Sequence, residues 1–206
     1  MNEGYNHVLD QISSSNPTPG GGSVSALVLS HAHSLAMMVA RLTKANDKWV
    51  DGHNAANEII STSTKGLKNS LQLARLDSEA FDEVMKSYRL PKNSDIEKDK
   101  RIISIRQSTI NAAKTPLSIV KECSALLETT KELCLEGNIN ALTDLMSSIE
   151  LAYSASKIAS YNVKINLDSL SDEYSLDISQ ELDSYMEINK LRFEENISIL
   201  EERLGW

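Results

Sequence analysis

Asp77 is the side chain in this sequence best placed to carry a proton. The run Leu73-Ala74-Arg75-Leu76-Asp77-Ser78-Glu79-Ala80-Phe81 has helical spacing, and residues three and four apart share a helix face. Asp77 therefore has Leu73, Ala74, Ala80 and Phe81 for neighbours, whereas Asp82 and Glu83 sit near Ser78 and Glu79. An apolar face disfavours the charged carboxylate and lifts its pKa from about 3.9 toward a range useful for general acid or base work. An ordinary solvated acid fits the same spacing.

A second candidate is the stretch Pro17-Thr18-Pro19-Gly20-Gly21-Gly22-Ser23, which opens into about twenty residues rich in Ala and Ser. Two prolines hold the approach extended and three glycines let the backbone come close to a partner. Ser23 is expected to cap the following helix, whose first amides favour a negative group. A plain turn into a helix also accounts for these residues. At the junction Gly137-Asn138-Ile139-Asn140-Ala141-Leu142-Thr143-Asp144, Asn140, Thr143 and Asp144 suit either helix capping or ligand binding. Asn162 and Asn166, four apart, suit either a helix C-terminus or hydrogen bonding to a ligand.

Other chemistries lack their residues. His31 and His33 point about 200° apart around a helix, and His7 and His53 have no ligand-like spacing, so no metal site is expected. No Gly-x-Ser-x-Gly elbow occurs, and Cys123 and Cys134 have no base beside them in sequence. Eleven residues of helix, about 16 Å, also separate the two cysteines too far for a disulfide within one straight helix. With a net charge of −8 and no basic stripe, nucleic acid is not an expected partner. Residues 1–10 lack a basic start followed by an apolar run, and the expected compartment is the cytoplasm. Residues 24–39 include His31, His33 and three serines and fall short of a bilayer span, so no membrane is expected.

The elements that must position these residues are helices. Hydrophobic residues make up 41% of the 206 and aromatics only 5%, which leaves Leu, Ile, Ala, Val and Met to build the core of closely packed helices. Helical spacing predicts segments over residues 6–13, 22–43, 49–88, with an interruption near Lys65-Gly66, and from a Ser94/Glu97 capping box to Pro116, where a kink or break is expected. Further segments follow from Leu117 to Gly137, over 140–160, and along Leu182, Met186, Phe193, Ile197, Leu200 and Leu204, with a longer connection over 162–172. Leu67, Leu71, Ala74, Phe81, Val84 and Met85 mark the expected buried stripe of the third segment. The fold class is all-α, one domain over residues 1–206, an antiparallel-type bundle whose long amphipathic helices suit a homodimer.

Taken together, these segments resemble the cyclodeaminase/cyclohydrolase family, comprising the C-terminal domain of formiminotransferase-cyclodeaminase and stand-alone methenyltetrahydrofolate cyclohydrolases. The resemblance rests on residues 17–24, Leu42-Thr43-Lys44, Asp77-Ser78-Glu79-Ala80-Phe81, Leu90-Pro91-Lys92, Gly137-Asn138 with Asp144, and Asn162-Val163-Lys164-Ile165-Asn166, in family order along nearly the whole chain. It implies an all-helical dimer acting on a tetrahydrofolate derivative, with no cofactor beyond that substrate. The catalytic aspartate, four residues before the Phe, would be Asp77. Gly20, Gly21, Gly22, Ser23, Asn138, Asn162 and Asn166 would line the folate pocket, Asp144 would pair with the pterin edge, and Lys44 and Lys92 would attract the glutamate tail. Two segments depart from the pattern: Lys44-Ala45-Asn46-Asp47-Lys48-Trp49 replaces a more basic cluster, and the bulky residues 27–33 replace a run of Ala and Gly. A noncatalytic folate-binding or dimerisation module on the same scaffold is the alternative.

Overall fold

The protein, seen in a computed structural model that describes residues 3–170 and 173–206, is built from helices α1 (Glu3–Ile12), α2 (Gly21–Lys44), α3 (His53–Tyr88), α4 (Asp95–Thr129), α5 (Lys131–Glu136), α6 (Leu142–Leu167) and α7 (Glu173–Leu204). Short 3₁₀ turns, Asp47–Gly52 and Ile139–Ala141, precede α3 and α6. No strand occurs among the described residues.

The small residues of α2 explain its place at the centre. Ala26, Ala32, Ala36 and Ala40 are fully buried, and their short side chains let α3 and α6 pack along α2. Its apolar length is also that of a membrane span, yet this helix is mostly enclosed by protein. Contacts fix the directions. Ser23 meets Asp77 and Met37 meets Thr64, so α2 and α3 are antiparallel. Ser148 donates to the Ala32 carbonyl while Asn162 lies against Gly21, so α6 also runs against α2. Asn189, Arg192 and Asn196 of α7 donate in turn to Val120, Ser124 and Leu127 of α4, a parallel pair. Thus α2, α4 and α7 point one way, and α3 and α6 the other.

Several local expectations are corrected. α3 runs unbroken through Gly66, because the missing side chain there makes room for the His33 ring of α2, which a Cβ would overlap. Its buried residues are Ala56, Ile59, Ser63, Gly66, Ser70, Ala74 and Ser87; Leu71, Phe81 and Met85 instead reach the surface. Close packing on α2 selects small side chains, so the bulky stripe is not the inner one. The Ser94/Glu97 capping box starts α4 as the sequence indicates. Pro116 does not break that helix, which continues to Thr129. α6 reaches Leu167, so Asn162 and Asn166 lie within a helix rather than after it. Of the connection expected over 162–172, only a few residues after Leu167 remain, and Ser171 and Asp172 lie outside the described residues.

Candidate active site

Three helix ends and one loop enclose a cavity of about 340 Å³. The start of α2 contributes Gly20, Gly21 and Gly22, with Pro17 and Thr18 on the loop before it; α3 contributes Asp77, Phe81 and Val84; α6 contributes Asn162, Ile165 and Asn166. Ala112 of α4 closes the remaining side.

Asp77 does the capping expected of Ser23. The residue before α2 is Gly20, which has no capping side chain, and Ser23 lies inside the first turn, 1% exposed. The Ser23 hydroxyl donates to Asp77 Oδ2 at 3.0 Å, and the Ser23 backbone also hydrogen bonds this carboxylate. Gly22 lets the carboxylate approach, since a Cβ there would overlap it. The start of a helix offers unpaired N–H groups and a partial positive charge, both of which suit an anion. Burial nonetheless wins, raising the Asp77 pKa above its usual value while the two Ser23 bonds oppose the rise. The carboxylate thus has a partly dried environment, a hydroxyl bond on Oδ2 and a place on the cavity wall.

Asn166 owes its orientation to a proline on another helix. Pro116 lacks the N–H that would have bonded to the carbonyl of Ala112, four residues earlier, and Asn166 Nδ2 donates to that carbonyl at 3.1 Å instead. The same Nδ2 donates to Asn162 O at 2.8 Å. Two carbonyls facing one atom require a donor there, so Asn166 Oδ1 is the acceptor left to the cavity. Asn162 Nδ2 donates one of its two hydrogens to Ile158 O at 2.9 Å, which makes Asn162 Oδ1 the acceptor of that side chain. The Asp77 carboxylate and the Oδ1 atoms of Asn162 and Asn166 are therefore acceptors on the cavity wall beside the Thr18 hydroxyl, and Phe81, Val84 and Ile165 supply its apolar surface. Such a lining suits a flat, donor-bearing, cationic ring system.

The remaining candidates lie elsewhere. Lys92 is exposed in the α3–α4 loop, at the cavity's end of the bundle. Lys44, Asn138 and Asp144 stand at the other end, since Lys44 is 22 residues, about 33 Å, along α2 from Gly22. Asn138 is occupied in tying that end together: its N–H donates to Thr43 Oγ1, its Nδ2 to Leu42 O, and its Oδ1 accepts from Asn140 N. Asp144 lies in the first turn of α6, and the residue before that helix, Ala141, makes no side-chain cap. Sequence reasoning placed Thr18 in the candidate loop, missed Ala112 and Ile165 as cavity residues, and took Phe81 and Val84 as core. Only the alternation of α3 and α6 against α2 assigns them to one end. No cluster of three metal-ligating side chains occurs among the described residues. Cys123 and Cys134 are buried and free, with burial pushing both thiols up.

Residues 5–184 match the family model described as formiminotransferase-cyclodeaminase. The chain belongs to that family. It is 33% identical over 172 residues to methenyltetrahydrofolate cyclohydrolase of Methylorubrum extorquens, covering 83% of this chain and 82% of that enzyme. With formimidoyltransferase-cyclodeaminase of Gallus gallus it shares 26% identity over 90% of this chain but spans only 34% of that longer protein. The crystal structure of formiminotetrahydrofolate cyclodeaminase from Thermotoga maritima superposes with a TM-score of 0.86 at 26% identity, over 98% of this chain and 96% of that one. The all-helical bundle is thus a formiminotransferase-cyclodeaminase fold.

Proposed function

We propose that this family member is an enzyme of tetrahydrofolate-bound one-carbon units, with Asp77 as general acid and base. The observation that carries the reading is the half-buried Asp77 carboxylate on the wall of an acceptor-lined cavity, held against the start of α2. Cyclohydrolysis is the first reaction to test, because the relative matched over most of both chains is a methenyltetrahydrofolate cyclohydrolase.

In that reaction water adds to the cationic methenyl carbon while Asp77 takes a water proton. The N5–carbon bond of the tetrahedral adduct then breaks, N5 regains a proton, and 10-formyltetrahydrofolate results. The carboxylate also favours the cationic substrate electrostatically. Cyclodeamination needs the same carrier in a different order: N10 attacks the N5-formimino carbon, Asp77 protonates the departing amine, and ammonia leaves the methenyl bridge behind. Neither route as written uses a group beyond the folate. Residues 20–23 offer the first amides of α2, Asn162 and Asn166 accept ring N–H groups, and Lys92 draws the glutamate carboxylates. Lys44, Asn138 and Asp144 have no role at this cavity within one protomer.

The test is Asp77→Asn, assayed by the loss of methenyl absorbance and, in parallel, with formiminotetrahydrofolate. The expected loss is about 10²- to 10⁴-fold in kcat, the usual contribution of a positioned proton carrier. Full turnover in the folded variant would sink the assignment. Wild-type protein that binds folate yet is inert toward both substrates would favour the noncatalytic module.

A further inference from the structure

Hydroxyls on these helices have a default partner, the carbonyl three or four residues earlier in the same helix. Ser25 donates to Gly22 O, Ser30 to Leu27 O, Thr64 to Ile60 O and Ser70 to Gly66 O. Ser78 forgoes it, and Ser23 stands so early in α2 that the carbonyls three and four residues back belong to Gly20 and Pro19, before the helix. Instead the Ser78 Oγ lies 2.9 Å from the Ser23 Oγ, which lies 3.0 Å from Asp77 Oδ2.

One proton per hydroxyl gives the chain a direction. The Ser23 backbone bonds the same carboxylate through its N–H, which only donates, so the carboxylate is held as an acceptor. Ser23 spends its single proton on Oδ2 and must then accept from Ser78. We infer that Ser78 is a positioning residue: its hydroxyl, donating to Ser23, holds the Ser23 proton on Asp77 Oδ2 and so fixes the orientation of the carboxylate that lines the cavity. Each donation polarises the next, so the second hydroxyl strengthens the first. Without Ser78, Ser23 loses the partner for its lone pair, and its rotor becomes free to turn from the carboxylate toward the Gly20 carbonyl three residues earlier. The inference takes from the proposed function only the role of Asp77.

Two measurements test it. In protein carrying ¹³C-labelled aspartate, the Asp77 carboxyl resonance, assigned by its loss in Asp77→Asn, is titrated in wild type, Ser78→Ala and Ser78→Thr. A hydrogen bond to the ionised form lowers the midpoint, so Ser78→Ala should raise it by about half a unit to one unit. Ser78→Thr, which keeps the hydroxyl, should restore it. The acid limb of the kcat profile should move in the same sense, with KM unchanged. An unmoved carboxyl midpoint in Ser78→Ala, or one that rises equally in Ser78→Thr, overturns the inference. Full turnover by Asp77→Asn would instead remove the catalytic role of Asp77, and the resonance titration would still decide whether Ser78 acts on it.

Discussion

Burial and hydrogen bonding pull the Asp77 carboxyl in opposite directions, and the balance has a consequence for stability. Its folded pKa lies above the unfolded value, so the native state holds this proton more tightly. The stabilisation is complete below the unfolded pKa and disappears as pH rises through the folded one. At neutral pH the charge is therefore a cost to the fold. Asp77→Asn should melt at or above the wild-type temperature at pH 7 even as turnover collapses, because the amide oxygen still accepts from Ser23. A melting point several degrees lower would make Asp77 mainly a cap for α2. His33 behaves differently. It is 4% exposed, its Nδ1 bonds Ser63 Oγ, its Nε2 has no partner, and burial lowers its pKa from 6.5 to about 4. Between those values the unfolded chain binds a proton that the native chain refuses, so stability is present above 6.5 and is lost as pH falls toward 4. The loss amounts to roughly 3 kcal/mol. Urea unfolding at pH 4.5 and 7 should show it, and His33→Asn should flatten the difference; an unchanged difference would place the acid lability in other groups.

At the scale of elements, the α4–α6 contact depends on a trade between two residues. Asn166→Ala should leave the Ala112 carbonyl without its donor and cost about 1–3 kcal/mol. Pro116→Ala supplies an N–H to that carbonyl, so the same Asn166→Ala change should cost less in the Pro116→Ala background. Equal costs in the two backgrounds, measured by chemical denaturation, would show that Asn166 is not there to replace the missing bond. This trade also explains what the sequence concealed. Periodicity shows that residues 95–129 are helix-forming, and the Ser94/Glu97 box marks their start because both partners are local. Continuation through Pro116 depends on a donor fifty residues away, and the start of α2 is satisfied by a carboxylate from α3. Local windows contain neither. The inner face of α3 was hidden for a related reason: small residues face α2 because the two backbones approach closely, and hydrophobicity alone points to Leu71 and Phe81 instead.

Across the whole molecule, the up-and-down course of the rods decides which candidates can meet. The start of α2 and the ends of α3 and α6 share one end of the bundle, while the end of α2 and the start of α6 share the other. That alternation follows from helix order and short connections, so the separation of Lys44 from Gly22 was within reach of the sequence. The order of motifs along the chain conceals it, because neighbours in a motif series need not be neighbours in space. Lys92 is left as the lysine of the pair at the cavity's end, in a molecule of net charge −8. Lys92→Gln should raise KM for a polyglutamylated substrate at low ionic strength and reduce the dependence of KM on salt, with little change in kcat. A KM equal to wild type at both 20 and 200 mM salt, concentrations about a threefold difference apart in screening length, would detach this lysine from tail binding.

The link from Pro116 through the Ala112 carbonyl to Asn166 has an evolutionary consequence. A cavity asparagine whose orientation answers to an imino acid on a different rod cannot drift alone: a descendant that regains an ordinary amide at 116 loses the demand for a donor at 166. Exchanges at the two positions should accordingly occur together across lineages, even though neither residue neighbours the other in the chain.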